Sequence, residues 1–262
     1  MKQIAIVVGL GEVGKALMEI VKSKHQSFGV DLDLPASVSQ CDVMHICFPF
    51  QNDKFVGQVV EYIERYRPAL TAINSTVAPG STRSIALKSG TAVVNSPVRG
   101  KHARMQKEML HYTKFVGALD QQSGQHAVEH FQGLGMKTKL LGSPEATEIA
   151  KLTETTYFGL MIAWAQEVER YCAKLGVSYD EVVSFYDEIK FFPPVKYFPG
   201  EIGGHCVMPN IDILLQKFPS DLLQAIVQSN TLKQKNLGSE AGRGRKREIR
   251  DQMTENRGAL TL

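Results

Sequence analysis

Cys206 follows Pro199-Gly200 and Gly203-Gly204-His205, and far upstream lies Gly9-Leu10-Gly11-Glu12-Val13-Gly14. The first stretch places a single thiol after a glycine-rich turn. The second is a Gly-x-Gly-x-x-Gly fingerprint that closes an apolar run and opens an amphipathic one. A nicotinamide dinucleotide accepts hydride, and a thiolate adds to an aldehyde. Together they could oxidise an alcohol, hold the aldehyde covalently and oxidise it again to an acid.

The fingerprint has a physical reading at each position. Gly9 permits the tight turn, Gly11 lets the backbone approach a pyrophosphate, and Gly14 lets helix and strand pack closely. Phosphate oxygens would meet backbone N–H groups at the helix N-terminus, around Glu12 and Val13, and Leu10 is assigned to the same cofactor site. Asp31 follows Gly9 by 22 positions, where a carboxylate accepts hydrogen bonds from ribose hydroxyls and repels a 2′-phosphate. NAD is therefore the expected cofactor rather than NADP. Pro49, which closes the run 43–48, and Ser75 and Thr76, which follow the run 70–74, are assigned to the same cofactor site. No metal site is expected, since the adjacent His205 and Cys206 are poorly spaced to share one ion.

The elements that must position these residues alternate over the first 142 positions. Apolar runs at 4–8, 27–31, 43–48, 70–74, 92–95, 114–117 and 137–141 alternate with amphipathic stretches at 13–24, 56–66, near 80–82 and at 124–134. This is the pattern of a parallel sheet covered by helices. From Pro144 to about Leu175 the spacing predicts one long helix, interrupted only by Gly159. Further helices are expected at 179–188, 211–217 and 221–230. The expected fold class is thus α/β: a Rossmann-type parallel sheet over residues 1–142, then a smaller helical region over 143–235 entered by a long interdomain helix. The polar, basic stretch 236–262 is expected to be disordered.

Three later motifs resemble a known family, the UDP-glucose/GDP-mannose dehydrogenases. Ser75-Thr76-Val77-Ala78-Pro79-Gly80-Ser81-Thr82 is similar to its Ser-Thr-Val-x-Pro-Gly-Thr segment, and Glu148-Ile149-Ala150-Lys151-Leu152 to the Glu-x-x-Lys start of its long helix. Pro199 to Cys206 resembles its glycine-rich cysteine loop. The resemblance implies that Cys206 forms a thiohemiacetal and then a thioester. It implies that Lys151 stabilises the developing oxyanion and that Thr76 helps orient water.

The chain departs from that pattern at several positions. Thr155 stands where the family has asparagine and Asn210 where it has a water-assisting aspartate, unless a shift of one or two residues brings Asp212 into that role; Ser96-Pro97-Val98 stands where it has Ser-Pro-Glu. Arg99, Lys101 and His102 follow, a basic stretch suited to a phosphate or carboxylate of a substrate. With Gly203, Gly204 and His205 they form the expected substrate-binding set. About 30 residues follow Asn230, so the family's nucleotide-binding second αβ domain is expected to be absent. The substrate would then be smaller than a nucleotide sugar, a partner subunit would complete the site, or catalysis would be lost. Two other readings stay open. One is a two-electron β-hydroxyacid-type dehydrogenase using Lys151 without the cysteine; the other is a non-catalytic NAD-binding protein.

Bulk properties narrow the class. A net charge of +3 gives no reason to expect nucleic acid, and no apolar run is long enough to span a bilayer. With no signal-peptide pattern a cytoplasmic protein is expected, and in a reducing compartment Cys41, Cys47 and Cys172 read as core or helix-face thiols. His45, His102 and His111 read as ordinary residues without partners. Residues 144–175 are apolar around most of the helix, which predicts a homodimer built across it.

Overall fold

The computed structural model describes residues 2–32, 37–51, 54–100, 104–188, 199–203 and 206–237. The chain divides into two units, Met1–Thr153 and Glu154–Leu262. In the first, β1 (Ile4–Val8), α1 (Glu12–Lys22), β2 (Gln26–Val30), β3 (Val43–Ile46), α2 (Lys54–Tyr66), β4 (Leu70–Ile73) and α3 (Ser81–Ser89) come first. Then follow β5 (Val93–Asn95), α4 (Met105–His111), β6 (Lys114–Ala118), α5 (Gln121–Gly133) and β7 (Thr138–Leu141). The strands form one seven-stranded sheet in the order β2-β1-β3-β4-β5-β6-β7.

Both faces of the sheet are covered, which is why the strands read as apolar runs rather than alternating ones. Ala5, Val43 and Leu70 pack with Leu17 and Val21 of α1 and with Ala127 and Phe131 of α5. The alternate positions Ile6, Val8, Met44 and Ile46 pack with Phe55 and Val59 of α2 and Ile85 of α3. Successive side chains of one strand thus feed two cores.

The sheet is not parallel throughout. β5 and β6 pair antiparallel, Val94 opposite Ala118 and Asn95 opposite Gly117. The connection contains α4, a helix outside the sequence expectation because its only buried residues are Met105 and Met109. Its seven residues rise only about 10 Å, and the chain re-enters the sheet from the end at which β5 leaves it.

α6 (Pro144–Leu175) runs as its spacing predicts, beginning in the first unit and continuing through the second. α7 (Tyr179–Ser184) and a 3₁₀ turn (Phe185–Glu188) follow, then α8 (Val207–Lys217) and α9 (221–237). Ala163, Ile202, Ile211 and Ile226 form the main core of the second unit. Val168, Cys172 and Val183 form a smaller one.

Two helix boundaries differ from expectation. α8 starts at Val207, not at Ile211, because Pro209 falls in its first turn, where a missing N–H leaves no hydrogen bond unmade. α9 continues to 237, past Asn230 and into the stretch expected to be disordered. The remainder of that tail, 238–262, lies outside the described residues, as do Lys101, His102, Gly204 and His205. Among the described residues no helix is long and apolar enough to cross a membrane.

Candidate active site

The loop after β1 has the geometry that each glycine predicts. Gly9 adopts φ +89°, and a Cβ there would lie 2.6 Å from the Phe48 nitrogen. A Cβ on Gly14 would lie 1.8 Å from the Gly9 carbonyl oxygen, so the first turn of α1 can rest on the loop only with glycine there. Gly11 differs: a Cβ built on it meets nothing within 4 Å. That open space lies beside first-turn N–H groups with no intrahelical acceptor, as an anion would require. The Asp31 carboxylate, exposed at the end of β2, accepts from the Leu10 N–H at 3.2 Å and the Leu32 N–H at 3.0 Å. The open space at Gly11 and the Asp31 carboxylate at the end of β2 thus lie on the same loop edge, a cradle with an acidic rim that would fit a dinucleotide.

The strand ends beside it are tied together. The Ser75 hydroxyl donates to the Phe48 carbonyl at 2.6 Å, joining the ends of β4 and β3 next to the exposed Pro49. Ser75 is thereby occupied by the fold, whereas Thr76 is half-buried between the buried Ser75 and Val77. The N-terminus of α3 has Gly80 as its cap residue, with φ +88° and no side chain to offer. Glu148 of α6 fills that role, its carboxylate accepting from the N–H groups of Gly80 at 2.7 Å and Thr82 at 2.9 Å. Burial pushes Glu148 above the usual carboxylate range, against the pull of those donors. Two motifs separate in sequence, 75–82 and 148–152, are therefore one physical unit, and the cap fixes the helical turn that carries Lys151.

A buried polar chain crosses the same sheet, and nothing in the sequence announced it. The Lys114 ammonium donates to Asn74 Oδ1 at 2.9 Å and the Ser96 carbonyl at 2.5 Å, and lies 5.1 Å from the Phe131 ring centre. It thus spans the ends of β4 and β5, beside the Thr76 and Arg99 loops. Burial lowers Lys114 to about 7; the Cys47 thiol opposes this and the Lys151 ammonium adds to it. Asn74 Nδ2 is 3.4 Å from His45 Nδ1, and His45 Nε2 is 3.0 Å from His130 Nε2. His130 Nδ1 meets Gln3 Oε1 at 2.9 Å. Because Gln3 Oε1 can only accept, His130 carries its proton on Nδ1 and His45 donates from Nε2. Burial lowers both imidazoles, His130 to about 3, so both are neutral. His45, expected to lack a partner, is in fact the centre of this chain.

In the second unit Cys206 is exposed and occupies the N-cap of α8, while Cys41 and Cys172 are buried. Burial holds the Cys41 and Cys47 thiols at about 12, far from thiolate chemistry. One turn along α8, the buried Asn210 donates to the Thr155 hydroxyl at 2.6 Å. The two positions that depart from the family pattern on these helices therefore contact each other. Gly159 permits the approach, since a Cβ there would meet Val207 Cγ1 at 2.7 Å. Arg99, in the first unit, is half-buried with its guanidinium 5.5 Å from the Tyr112 ring centre and 5.8 Å from that of Phe115. Gly203 is exposed, directly after Ile202. Among the described residues no group of three or more His, Cys, Asp and Glu side chains is placed to hold a metal.

Residues 145–232 match the central domain of the UDP-glucose/GDP-mannose dehydrogenase family. The UDP-N-acetyl-D-mannosamine dehydrogenase of Methanocaldococcus jannaschii is 26% identical over 178 residues, 66% of this chain and 41% of that enzyme. That of Methanococcus maripaludis is 23% identical over 206 residues, 73% and 48% respectively. The chain thus spans less than half the length of these relatives. Among solved structures, the UDP-D-ManNAc dehydrogenase of Pyrococcus horikoshii superposes with a TM-score of 0.75 at 20% identity, covering 91% of this chain and 70% of that one. The 3-hydroxyisobutyrate dehydrogenase of Mycobacterium tuberculosis superposes at 0.68 and 16% identity, covering 91% and 94%. These two likenesses establish the fold. Over residues 145–232 the chain is therefore similar to the central domain of the UDP-glucose/GDP-mannose dehydrogenase family.

Proposed function

We propose that this protein is an NAD-dependent dehydrogenase that oxidises a hydroxyl of a small, anionic or sugar-derived substrate to an acid through an adduct on Cys206. NAD, when bound, supplies the hydride acceptor. The observation that carries the reading is the open cradle at Gly11 beside Asp31, in a chain whose exposed cysteine begins a helix. Hydride leaves the alcohol carbon and the hydroxyl proton is released, giving an aldehyde. The Cys206 thiol adds to it; loss of a second hydride together with the adduct's hydroxyl proton gives the thioester, and water releases the acid and restores the thiol. The substrate loses four electrons overall. Lys151 stabilises the oxyanion, Thr76 orients water, and Arg99 takes the substrate's anionic group. The relatives make N-acetylated sugar nucleotides the first substrates to try.

Two experiments test this reading. Gly11→Ser is expected to abolish the rise in Tm caused by NAD. A substrate-sized mass on Cys206, trapped after mixing with NAD and substrate and absent in Cys206→Ser, is the expected intermediate; a complete lack of adduct would contradict it. The Asn210–Thr155 hydrogen bond favours a second reading. With an amide at position 210 in place of a carboxylate, that side chain cannot draw a proton from water, so a single two-electron oxidation is the competing outcome.

The same proposal extends to assembly. Tyr157, Trp164 and Tyr171 recur every seven residues along α6 and are about half exposed (47%, 52% and 51%). A stripe of that spacing lies on one helix face, and we assign it to a homodimer. Trp164→Glu is expected to yield a monomer in sedimentation; an unchanged dimer would remove this assignment.

A further inference from the structure

Residues 199–203 lead toward Cys206 but form neither helix nor strand. Their buried backbone groups still need partners, and side chains supply them. The Asn230 amide pairs with both polar groups of Ile202: its Oδ1 accepts from the Ile202 N–H at 2.7 Å, and its Nδ2 donates to the Ile202 carbonyl at 3.0 Å. Only one orientation of the amide satisfies both, so it acts as a neighbouring strand would. Two residues earlier, Gln166 Nε2 of α6 donates to the Gly200 carbonyl at 2.7 Å. Gln166 is itself held by the Ser229 hydroxyl, which donates to its Oε1 at 2.8 Å and accepts from Arg170 at 3.0 Å. Gln166 is fully buried and Asn230 nearly so. The clamp draws on α6 and α9, 28 to 34 positions away in sequence from the segment they hold.

We propose that Asn230 and Gln166 are positioning residues for the thiol: by fixing the backbone at Ile202 and Gly200, they set where Cys206 stands at the start of α8. This rests on the reading of Cys206 as the reacting group. Neither side chain touches substrate; both act through the segment they hold. Displacing a reacting atom by about 1 Å costs on the order of 100-fold in turnover, so a loosened clamp is expected to lower kcat and leave the KM for NAD unchanged.

The test compares Asn230→Ala and Gln166→Met with wild type and with Val183→Ala. The last is a destabilising control in the smaller core of the same unit, away from the clamp. Iodoacetamide is the probe, its rate and pH profile at Cys206 followed by peptide mass spectrometry alongside Tm. Both clamp variants are expected to shift the Cys206 rate and its pH profile several-fold, with Val183→Ala lowering Tm but leaving both unchanged. If Asn230→Ala does not fold, Gln166→Met carries the test, since it frees Gly200 and keeps the Ile202 pairing. Clamp variants that lose stability yet keep the wild-type rate and profile would overturn the proposal. Turnover surviving in Cys206→Ser would instead overturn the reading beneath it, and the alkylation result would still report on positioning.

Discussion

In the first unit, the glycine loop 9–14 is held chiefly through backbone groups, with the Asp31 carboxylate accepting from the Leu10 N–H. Gly14 rests on the Gly9 carbonyl, the Gly9 N–H donates to the Val30 carbonyl at 2.8 Å, and Gly9 adopts a positive φ. In the second unit, the segment 199–203 is held by the side chains of Gln166 and Asn230. A backbone-built site fails when a Cβ is added. A side-chain-built site fails when an amide is removed. The difference tells where each can vary: the first tolerates almost no change at Gly9 and Gly14, while the second depends on residues that need not lie near the chemistry.

The largest expected effect lies at Gly14. Gly14→Val would drive a Cβ into the Gly9 carbonyl and is expected to cost about 3 kcal/mol or more in urea unfolding. Asn230→Ala leaves a buried N–H and carbonyl of Ile202 without partners, for an expected loss of about 2 kcal/mol. A loss as small as that of an exposed substitution would break the comparison, because segment 199–203 would then be held by something else.

Lys114 gives a side-chain brace inside the first unit, and its pH dependence has a definite sign. Its pKa falls to about 7 in the folded protein, against the usual lysine value of about 10.4 in the unfolded chain. Between these values the unfolded state holds the extra proton, so stability rises with pH. The groups facing it are Cys47, His45 and Lys151, with the imidazoles already neutral above pH 7. From about pH 7 to 8, where unfolded thiols with an ordinary value of about 8.5 are still mostly protonated, the expected gain is at most about 1.4 kcal/mol. Lys114→Met should flatten that slope; a wild-type stability that falls over the same range would contradict the brace.

The smallest expected effect on stability is that of Gly11→Ser. Serine is a favoured helix cap and its Cβ meets no neighbour, so stability should stay within about 0.5 kcal/mol while NAD affinity is lost. Stability and binding thus separate at two glycines of one motif, Gly14 and Gly11.

What the sequence disclosed follows the same division. The sheet, the loop roles and the bounds of α6 were legible because each rests on local spacing: apolar runs, glycine positions, and Pro144 at a helix start. The β5–β6 reversal was not, since strand direction depends on the path of a connection and not on the composition of either strand. α8 was read four residues late because Pro209 looks like a boundary until its place in the first turn is known. Asn230, Gln166, Lys114 and His130 were passed over because their partners lie 18 to 127 positions away. Departures that looked like independent losses, Thr155 and Asn210, proved to be a bonded pair, a relation visible only once α6 and α8 are packed together.

The central claim, oxidation through a Cys206 adduct, is tested most directly by counting. Purified protein is mixed with NAD and a panel of sugar nucleotides, sugar phosphates and hydroxyacids, and the NADH formed per substrate consumed is measured for wild type and Cys206→Ala. The expected result is two NADH per substrate in the wild type, with the variant halted at the aldehyde. One NADH per substrate, unchanged by the substitution, would contradict the claim and make Cys206 a structural residue of a two-electron dehydrogenase.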